Sequence, residues 1–183
     1  MKNVIYKILF KIFNKINKFK IIVRIKYYES VTNQKINYVA QGEGGLVLSG
    51  DVAKFRIAET SHLKSGTFIE CSGGVVIGDY FHTGRGLTIF STNHNYKSEK
   101  CIPYDNVSIE RKVIIGNAVW IGANVTIAPG VSIGNGVIVS SGSVVFGDIP
   151  DCAIIRGNPA EIIKYRDKEI FYSLYSAGNF QWF

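Results

Sequence analysis

Aliphatic residues recur every six positions between Val113 and Val145, and this period constrains the fold more than any other feature of the chain. Two series run in parallel, two residues apart: Val113, Val119, Val125, Val131, Val137 and Ser143, and Ile115, Ile121, Ile127, Ile133, Val139 and Val145. Residues two apart in a strand point to the same side. Each unit is therefore predicted to be a short strand with two inward side chains, followed by a turn.

Strands this short cannot bury a face on their own, and a period of six fits neither an α-helix nor a heptad. The pattern predicts a triangular solenoid with three strands and about 18 residues in each coil. It continues upstream to Ile69 and Cys71 and fades before Ile57. The interval between Ile89 and Ile109 is not a multiple of six. A polar loop at residues 91–106 is therefore predicted to interrupt the solenoid.

The segment 1–28 is a basic arm that carries Lys and Arg but no acidic residue, whereas the rest of the chain is nearly neutral. On a helical wheel the apolar residues of the arm occupy one half, and Lys7, Lys11, Lys15 and Lys18 cluster outside that half and at its edge. Two interpretations stay open: a helix that lies on an anionic membrane surface, or a helix packed on its own subunit or a neighbour. Because the charge is confined to the arm, nucleic-acid binding is not expected.

Lysines interrupt every apolar run, and no run approaches the ~18 residues of a membrane-spanning helix, so neither a signal peptide nor a span is predicted. A cytoplasmic location is therefore expected. The three cysteines, Cys71, Cys101 and Cys152, are odd in number and widely spaced. This pattern indicates neither a disulfide framework nor a zinc site.

The run VIIGNAVWIGANVTIAPGVSIGNGVIVSSGSVV, the loop STNHNY and the ending GNPA together resemble the hexapeptide-repeat acetyltransferases, especially the maltose, galactoside and polysaccharide O-acetyltransferase branch. The resemblance implies an all-β solenoid, namely a left-handed parallel β-helix of hexapeptide repeats. We expect an N-terminal amphipathic helix over 1–28, the β-helix domain over 29–158 and a C-terminal helical tail over 159–183. The family also implies a homotrimer in which acetyl-CoA and the acceptor meet between subunits, with no metal required.

The resemblance assigns the role of general base to His94, in the loop 91–106. An imidazole that titrates near neutral pH can take the proton of a sugar hydroxyl while its oxygen attacks the thioester carbonyl. Asn93, next to His94, is an expected acceptor contact. Glu70 and His82 alternate with inward residues and should project outward, toward the acceptor or toward His94.

The same resemblance implies that acetyl-CoA contacts Trp120, Ala123, Ser141, Lys164 and Arg166. Trp120 lies between two inward residues and should point outward, where it can meet CoA or the acceptor. Ala123 and Ser141 are separated by three periods of six, hence one coil apart at the same corner, where a backbone N–H can stabilise the thioester oxyanion. Lys164 and Arg166 would supply positive charge near the CoA phosphates.

The chain departs from the family pattern at two places. Lys64 stands at the position where galactoside-type relatives have an acceptor-binding asparagine, which argues against a small galactoside as the acceptor. Phe146 and Gly147 replace a threonine and a lysine that can contact CoA in relatives. We therefore expect different contacts at the nucleotide end of CoA.

The expected function is acetyl-CoA-dependent O-acetylation of a sugar hydroxyl in a surface polysaccharide, capsule or lipopolysaccharide, or its precursor. Two alternatives stay open: N-acetyl transfer to an amino sugar or a nucleotide-linked amino sugar, and a non-catalytic β-helix scaffold. A carbonic anhydrase on the same helix would need three histidines around a metal. The only histidines, His62, His82 and His94, include no closely spaced pair.

Overall fold

The computed structural model describes residues 2–181; Met1, Trp182 and Phe183, at the ends of the predicted arm and tail, lie outside this range. The chain begins with a single long helix, α1 (Lys2–Thr32), which ends four residues beyond the predicted arm. The strands that follow are β1 (Asn37–Val39), β2 (Leu46–Ser49), β3 (Phe55–Ile57), β4 (His62–Lys64), β5 (Thr67–Glu70), β6 (Val75–Ile77), β7 (His82–Thr83), β8 (Thr88–Ile89), β9 (Thr92–His94), β10 (Ser108–Glu110), β11 (Val113–Ile115), β12 (Trp120–Ile121), β13 (Thr126–Ile127), β14 (Ser132–Ile133), β15 (Ile138–Val139), β16 (Val144–Val145), β17 (Ala153–Gly157) and β18 (Ala160–Tyr165).

The strands form a parallel β-helix with three flat faces. The first sheet contains β1, β4, β7, β12, β15 and β17, and β18 pairs antiparallel with β17 at its end. The second sheet contains β2, β5, β8, β13 and β16, and the third contains β3, β6, β11 and β14. Each complete coil supplies one strand to each sheet, so the predicted triangular solenoid is confirmed.

Coil length explains why the repeat is visible in only part of the sequence. In the later coils, register partners such as Trp120 and Ile138 are separated by three periods of six, as predicted. In the earlier coils the interval is longer, and His62 pairs with His82, two positions beyond three such periods. The extra residues fall in the turns and hide the period of six. The solenoid therefore begins at Asn37, well before the point at which the pattern fades.

The predicted inward residues form the core. All twelve members of the two aliphatic series are at most 2% exposed, including Ser143, whose hydroxyl donates to the Ser140 carbonyl at 2.7 Å. Each buried aliphatic side chain contributes roughly 1.5–3 kcal/mol. The turns are packed as closely as the strands: a Cβ at Gly122 would lie 2.5 Å from the Ser141 nitrogen in the next coil. Glycine is needed there because two turns meet through their backbones.

The last third of α1 packs on the β-helix. Tyr28 and Thr32 are buried, and Ile21 and Ile25 are half-buried. The Tyr28 hydroxyl donates to the Leu48 carbonyl at 3.2 Å and accepts from the Leu48 N–H at 3.1 Å, which ties the helix to β2. Within residues 2–181, neither helix combines the length and apolarity that a membrane crossing needs.

The C-terminal segment begins with β18 and continues into α2 (Lys168–Ser176). Asp167 caps this helix by accepting from the Ile170 N–H at 2.9 Å. Tyr175 accepts from the Asn117 amide at 3.0 Å, at the corner between the third and first sheets. The predicted tail 159–183 is therefore a strand followed by a helix, and its helix covers one corner of the solenoid.

Candidate active site

The insertion folds as a β-hairpin in which β9 and β10 pair antiparallel, with His94 opposite Ser108. The Arg111 N–H donates to the Ser91 carbonyl at 2.7 Å and closes its base. The hairpin leaves the solenoid after β8 of the second sheet and returns at β11 of the third sheet. It therefore projects from the corner opposite the first sheet.

His94 is exposed at the end of β9. Its ring stacks on Tyr104, with ring centroids 3.8 Å apart and an angle of 11° between the planes. The Asn93 side chain accepts from the His94 backbone N–H at 2.9 Å. The hairpin thus presents an imidazole to the exterior and fixes the plane of its ring.

Glu70 binds the base of this hairpin. One carboxylate oxygen accepts from the Ser72 N–H at 2.8 Å; the other accepts from the Ser91 N–H at 3.2 Å, from the Ser91 hydroxyl at 3.0 Å and from the Thr92 hydroxyl at 2.9 Å. Burial raises the pKa of Glu70, but hydrogen bonds from Ser72, Thr92 and Ser91 leave it below its ordinary value. The Glu70 carboxylate, which was expected to face the acceptor or His94, is therefore hydrogen-bonded to Ser91 and Thr92 at the base of the hairpin.

A row of outward side chains crosses the first sheet. His62 is the register partner of His82, and His82 is the partner of Trp120. The two imidazole rings meet edge to face, with centroids 4.7 Å apart. Trp120 points outward, as predicted, and is 56% exposed. His82 and Trp120, two of the expected site residues, are thus direct neighbours.

A cavity of about 560 Å³ lies between this row and the C-terminal segment. Lys64 and Arg166 line it together with aromatic side chains, among them Tyr80, Phe171, Tyr175 and Phe180. Tyr80 and Phe180 stack with centroids 3.5 Å apart, so the C-terminal segment forms one wall. Within residues 2–181, no Asp or Glu side chain lines this cavity. It can therefore accept a planar or apolar group together with negative charge.

Both cavity histidines are held in the neutral state at pH 7. Burial lowers the pKa of His62 to about 4, and Lys64, together with His82 whenever that ring is protonated, acts in the same direction. Burial also lowers the pKa of His82, with Lys64 adding to the effect. A neutral imidazole can both donate and accept a hydrogen bond, which suits the recognition of hydroxyl groups.

The remaining expected CoA contacts lie in two other places. Ala123 and Ser141 stack at the corner between the first and second sheets, where the Ala123 N–H donates to the Ser141 hydroxyl at 3.0 Å. Lys164 is exposed on β18, and Arg166 lines the cavity with its guanidinium 5.8 Å from the centre of the Phe171 ring. The Ala123 N–H expected to face an oxyanion is thus already hydrogen-bonded to Ser141.

The expected residues therefore form separate groups within one chain: the hairpin, the cavity, the corner of Ala123 and Ser141, and the exposed Lys164. Two residues beside them escaped prediction. His62 lies one coil before His82, and the spacing of the two histidines could have revealed it. Tyr104 had no such signal because an insertion has no period from which to infer a fold. No group of three His, Cys, Asp or Glu side chains in the described part of the chain is placed to hold a metal ion.

Residues 112–147 match the family described as bacterial transferase hexapeptide (six repeats). This stretch belongs to that hexapeptide family. No curated protein sequence matches the chain.

Solved structures extend the likeness beyond the hexapeptide stretch. A maltose O-acetyltransferase from Clostridium difficile is 22% identical with a TM-score of 0.64, covering 81% of this chain and 89% of its own. An N-acyltransferase from Bacillus cereus in complex with dTDP and 3-hydroxybutyryl-CoA is 24% identical, with a TM-score of 0.63 and 79% coverage of both chains. A galactoside acetyltransferase in complex with coenzyme A is 26% identical with a TM-score of 0.60, covering 74% of this chain and 66% of its own.

The hexapeptide family inferred from the sequence is confirmed, and so is the left-handed parallel β-helix with helices at its two ends. The three similar structures are all acyltransferases, and two of them hold CoA or an acyl-CoA. The chain therefore has the fold of acyltransferases that use CoA thioesters.

Proposed function

We propose that the protein is an acetyl-CoA-dependent O-acetyltransferase that acts on a sugar hydroxyl of a surface polysaccharide or its precursor. The fold of CoA-dependent acyltransferases supports the reaction class. An exposed imidazole on a hairpin, stacked on Tyr104, and a cavity lined by aromatic side chains and neutral histidines support a sugar acceptor. Trp120 offers a flat apolar surface to a sugar ring, while His82 offers hydrogen bonds to its hydroxyl groups.

The proposed arrangement of the active site rests on the position of the hairpin relative to the cavity. The hairpin with His94 projects from the corner between the second and third sheets, whereas the cavity lies on the outer face of the first sheet. In a triangular solenoid that corner is opposite that face, so one subunit cannot bring its own His94 to its own cavity. We therefore propose a homotrimer in which the hairpin of one subunit reaches the cavity of the next.

The reaction needs one proton transfer and one nucleophilic attack. His94 takes the hydroxyl proton as the sugar oxygen attacks the thioester carbonyl, and collapse of the tetrahedral intermediate expels the CoA thiolate, which is then protonated. No covalent acyl-enzyme is needed. The chain contributes the base, a surface for the sugar at Trp120 and His82, and positive charge for the CoA phosphates at Lys164 and Arg166. Asn93, beside the base, is proposed to contact the acceptor.

Backbone atoms at the Ala123 and Ser141 corner are proposed to contact the pantetheine arm. The hydrogen bond between the Ala123 N–H and the Ser141 hydroxyl fixes the relative position of the two turns. A serine hydroxyl that accepts one hydrogen bond still has its own proton to donate. Ser141 is therefore the better donor for the thioester oxygen at this corner.

Thiol release from acetyl-CoA tests the proposal. Wild type, His94→Ala and the control Lys97→Ala, which alters another exposed residue after β9, are compared with a panel of mono- and oligosaccharide acceptors. We expect acceptor-stimulated release by wild type and Lys97→Ala, loss of at least about 100-fold in His94→Ala, and unchanged CoA binding by all three. Equal release by His94→Ala and wild type would remove His94 from the mechanism.

A second candidate is N-acyl transfer to an amino sugar carried by a nucleotide. The similar N-acyltransferase from Bacillus cereus was solved with dTDP, which favours keeping this candidate. Adding nucleotide-linked amino sugars to the acceptor panel separates the two: preferential release with these acceptors would replace the O-acetylation proposal. Failure of the protein to bind CoA at all would favour the non-catalytic scaffold.

We place the reaction in the cytoplasm. Acetyl-CoA is a cytoplasmic metabolite, so a transferase that binds it directly must present its cleft on that side. Fractionation of cells that produce the protein tests this placement, and recovery of the protein outside the cytoplasmic and inner-membrane fractions would contradict it.

A further inference from the structure

The apolar face of α1 points away from the β-helix. The residues by which α1 packs on the body, Ile21, Ile25, Tyr28 and Thr32, lie within an arc of about 60° at 100° per residue. The apolar row of the helix is centred about 160° from that arc. It comprises Ile5, Ile8, Leu9, Ile12, Phe13, Ile16, Phe19, Val23, Tyr27 and Val31. Packing on its own subunit therefore does not cover this row.

Exposure of the row agrees with this geometry. Leu9 is 54% exposed, Phe13 52% and Phe19 67%, and every residue from 3 to 16 is exposed. Single exposed apolar residues are ordinary on a protein surface, but ten along one helix face, interrupted there by Lys20, mark an interaction surface. The first half of α1 thus projects from the body with an apolar face that nothing in residues 2–181 covers.

The charges of α1 indicate what covers that face. Lys7, Lys11 and Lys18 lie on the opposite side of the helix, Lys15 lies at the edge of the apolar row and Lys20 falls within its arc, and the segment 1–28 includes no acidic residue. The first acidic residue, Glu29, is paired with Lys26 at 2.6 Å. A partner for this face must therefore accept a broad apolar surface and carry negative charge.

A second copy of α1 fits these requirements poorly. Helices that associate with copies of themselves use a narrow apolar seam, with complementary charges beside it. Here the apolar arc spans about 140°, and the flanking charges are all positive, so copies would repel one another. An anionic bilayer offers an apolar interior and negative headgroups, and its surface attracts each nearby basic residue.

We propose that α1 lies flat on an anionic phospholipid bilayer, with its apolar row at the acyl boundary and its lysines among the headgroups. The helix is 31 residues long, about 46 Å at 1.5 Å per residue, which provides a long contact in the plane of the membrane. The hydrogen bonds between Tyr28 and Leu48 join the membrane-bound helix to the solenoid. The β-helix is thereby held at the bilayer surface.

Flotation of the full-length protein with lipid vesicles tests this proposal without reference to acetyl transfer. Vesicles are made of phosphatidylglycerol or of phosphatidylcholine, and the binding is measured at low and high salt. We expect the wild type to float with phosphatidylglycerol vesicles, at least about 10-fold more weakly with phosphatidylcholine, and less at high salt. Absence of flotation with phosphatidylglycerol at low salt would overturn the proposal.

Two double variants with unchanged charge locate the contact. Leu9→Asn with Phe13→Asn removes two side chains from the apolar row and should lower the partition coefficient at least about 10-fold. Val4→Asn with Ile22→Asn removes two apolar side chains from the lysine side of the helix and should leave most of the binding intact. Equal binding by both variants would contradict the assigned face.

Molar mass from light scattering distinguishes the bilayer from a second copy. The Leu9 and Phe13 variant should keep the oligomeric mass and the thermal unfolding midpoint of the wild type. A fall in its mass would instead show that the apolar row joins copies of the chain in solution, and would replace the membrane proposal.

Discussion

His94 lies face to face with Tyr104, with ring centroids 3.8 Å apart and the planes nearly parallel at 11°. Both residues belong to the hairpin insertion, so the same segment supplies the proposed base and the ring that fixes its plane. Face-to-face packing leaves the edge of the imidazole, where both nitrogens lie, open to a substrate. We therefore expect Tyr104 to act as a positioning residue for His94.

Replacing Tyr104 by alanine is expected to lower kcat about 3- to 10-fold with little change in KM, because the ring contact contributes roughly 0.5–1.5 kcal/mol to the position of the base. Tyr104→Phe keeps the aromatic face and should restore most of kcat. Steady-state thiol release measures both constants, with Tyr96→Ala as the control for another exposed tyrosine of the insertion. An effect confined to KM would argue against a positioning role.

Glu70 should support the stability of the hairpin base in a pH-dependent way. Its pKa is lower in the folded protein than in the unfolded chain, so its contribution is present above the unfolded value and is lost as the pH falls through the folded value. Glu70→Gln should lower the free energy of unfolding at pH 7 by about 1–2 kcal/mol and reduce the loss of stability between pH 5 and 3. Chemical denaturation at several pH values measures this.

Two further observations control the Glu70 experiment. Glu161→Gln alters an exposed glutamate of β18 and should leave the pH dependence unchanged. Hydrogen exchange should show faster exchange of the Ser91 N–H in Glu70→Gln, because that N–H donates to the carboxylate. Unchanged exchange there would mean that the carboxylate does not hold the hairpin.

The sequence predicted the later coils because their turns have constant length. Each inward residue from Val113 to Val145 could be placed from its position in the period of six, and all are buried. The same alternation predicted the outward direction of Trp120. The earlier coils were harder because their longer turns change the phase of the pattern, and the strands before Ile57 went unpredicted for that reason.

The period of six could not predict the contacts of the hairpin and the C-terminal tail, because neither segment repeats. A break in the period placed an insertion at 91–106, but the hairpin extends through β10 to Glu110. The stacking of Tyr104 on His94 depends on the path of a non-repeating chain. In the same way, the wall formed by Phe171 and Phe180 depends on how α2 and the residues after it pack, and alternation does not encode that packing.

His62 should make the fold sensitive to mild acid. Its pKa is about 4 in the folded protein, below the ordinary value of 6.5, so unfolding takes up a proton between these values and stability falls as the pH drops from 6.5 toward 4. His62→Gln removes this site. Between pH 7 and 4.5, the free energy of unfolding should fall by about 1–2 kcal/mol less in the variant than in wild type. Urea titrations measure this free energy. An equal fall in the two proteins would contradict the lowered pKa of His62.

Lys64 is expected to select an acceptor that carries phosphate. Lys64 lines a cavity to which residues 2–181 contribute no carboxylate, so a phosphate group on the acceptor gains a charge-assisted contact that a neutral sugar lacks. Lys64→Gln should lower kcat/KM for glucose 1-phosphate about 10-fold and leave that for methyl glucoside nearly unchanged, since one such contact is worth roughly 1.5 kcal/mol. Thiol release measures the ratio of kcat/KM for glucose 1-phosphate to kcat/KM for methyl glucoside. Lys112→Gln serves as the control, because Lys112 is exposed and does not line the cavity. An equal fall in kcat/KM with both acceptors would assign Lys64 to CoA binding or folding instead. A lysine that recognises the phosphate of the acceptor should have no effect on methyl glucoside, which carries no charge.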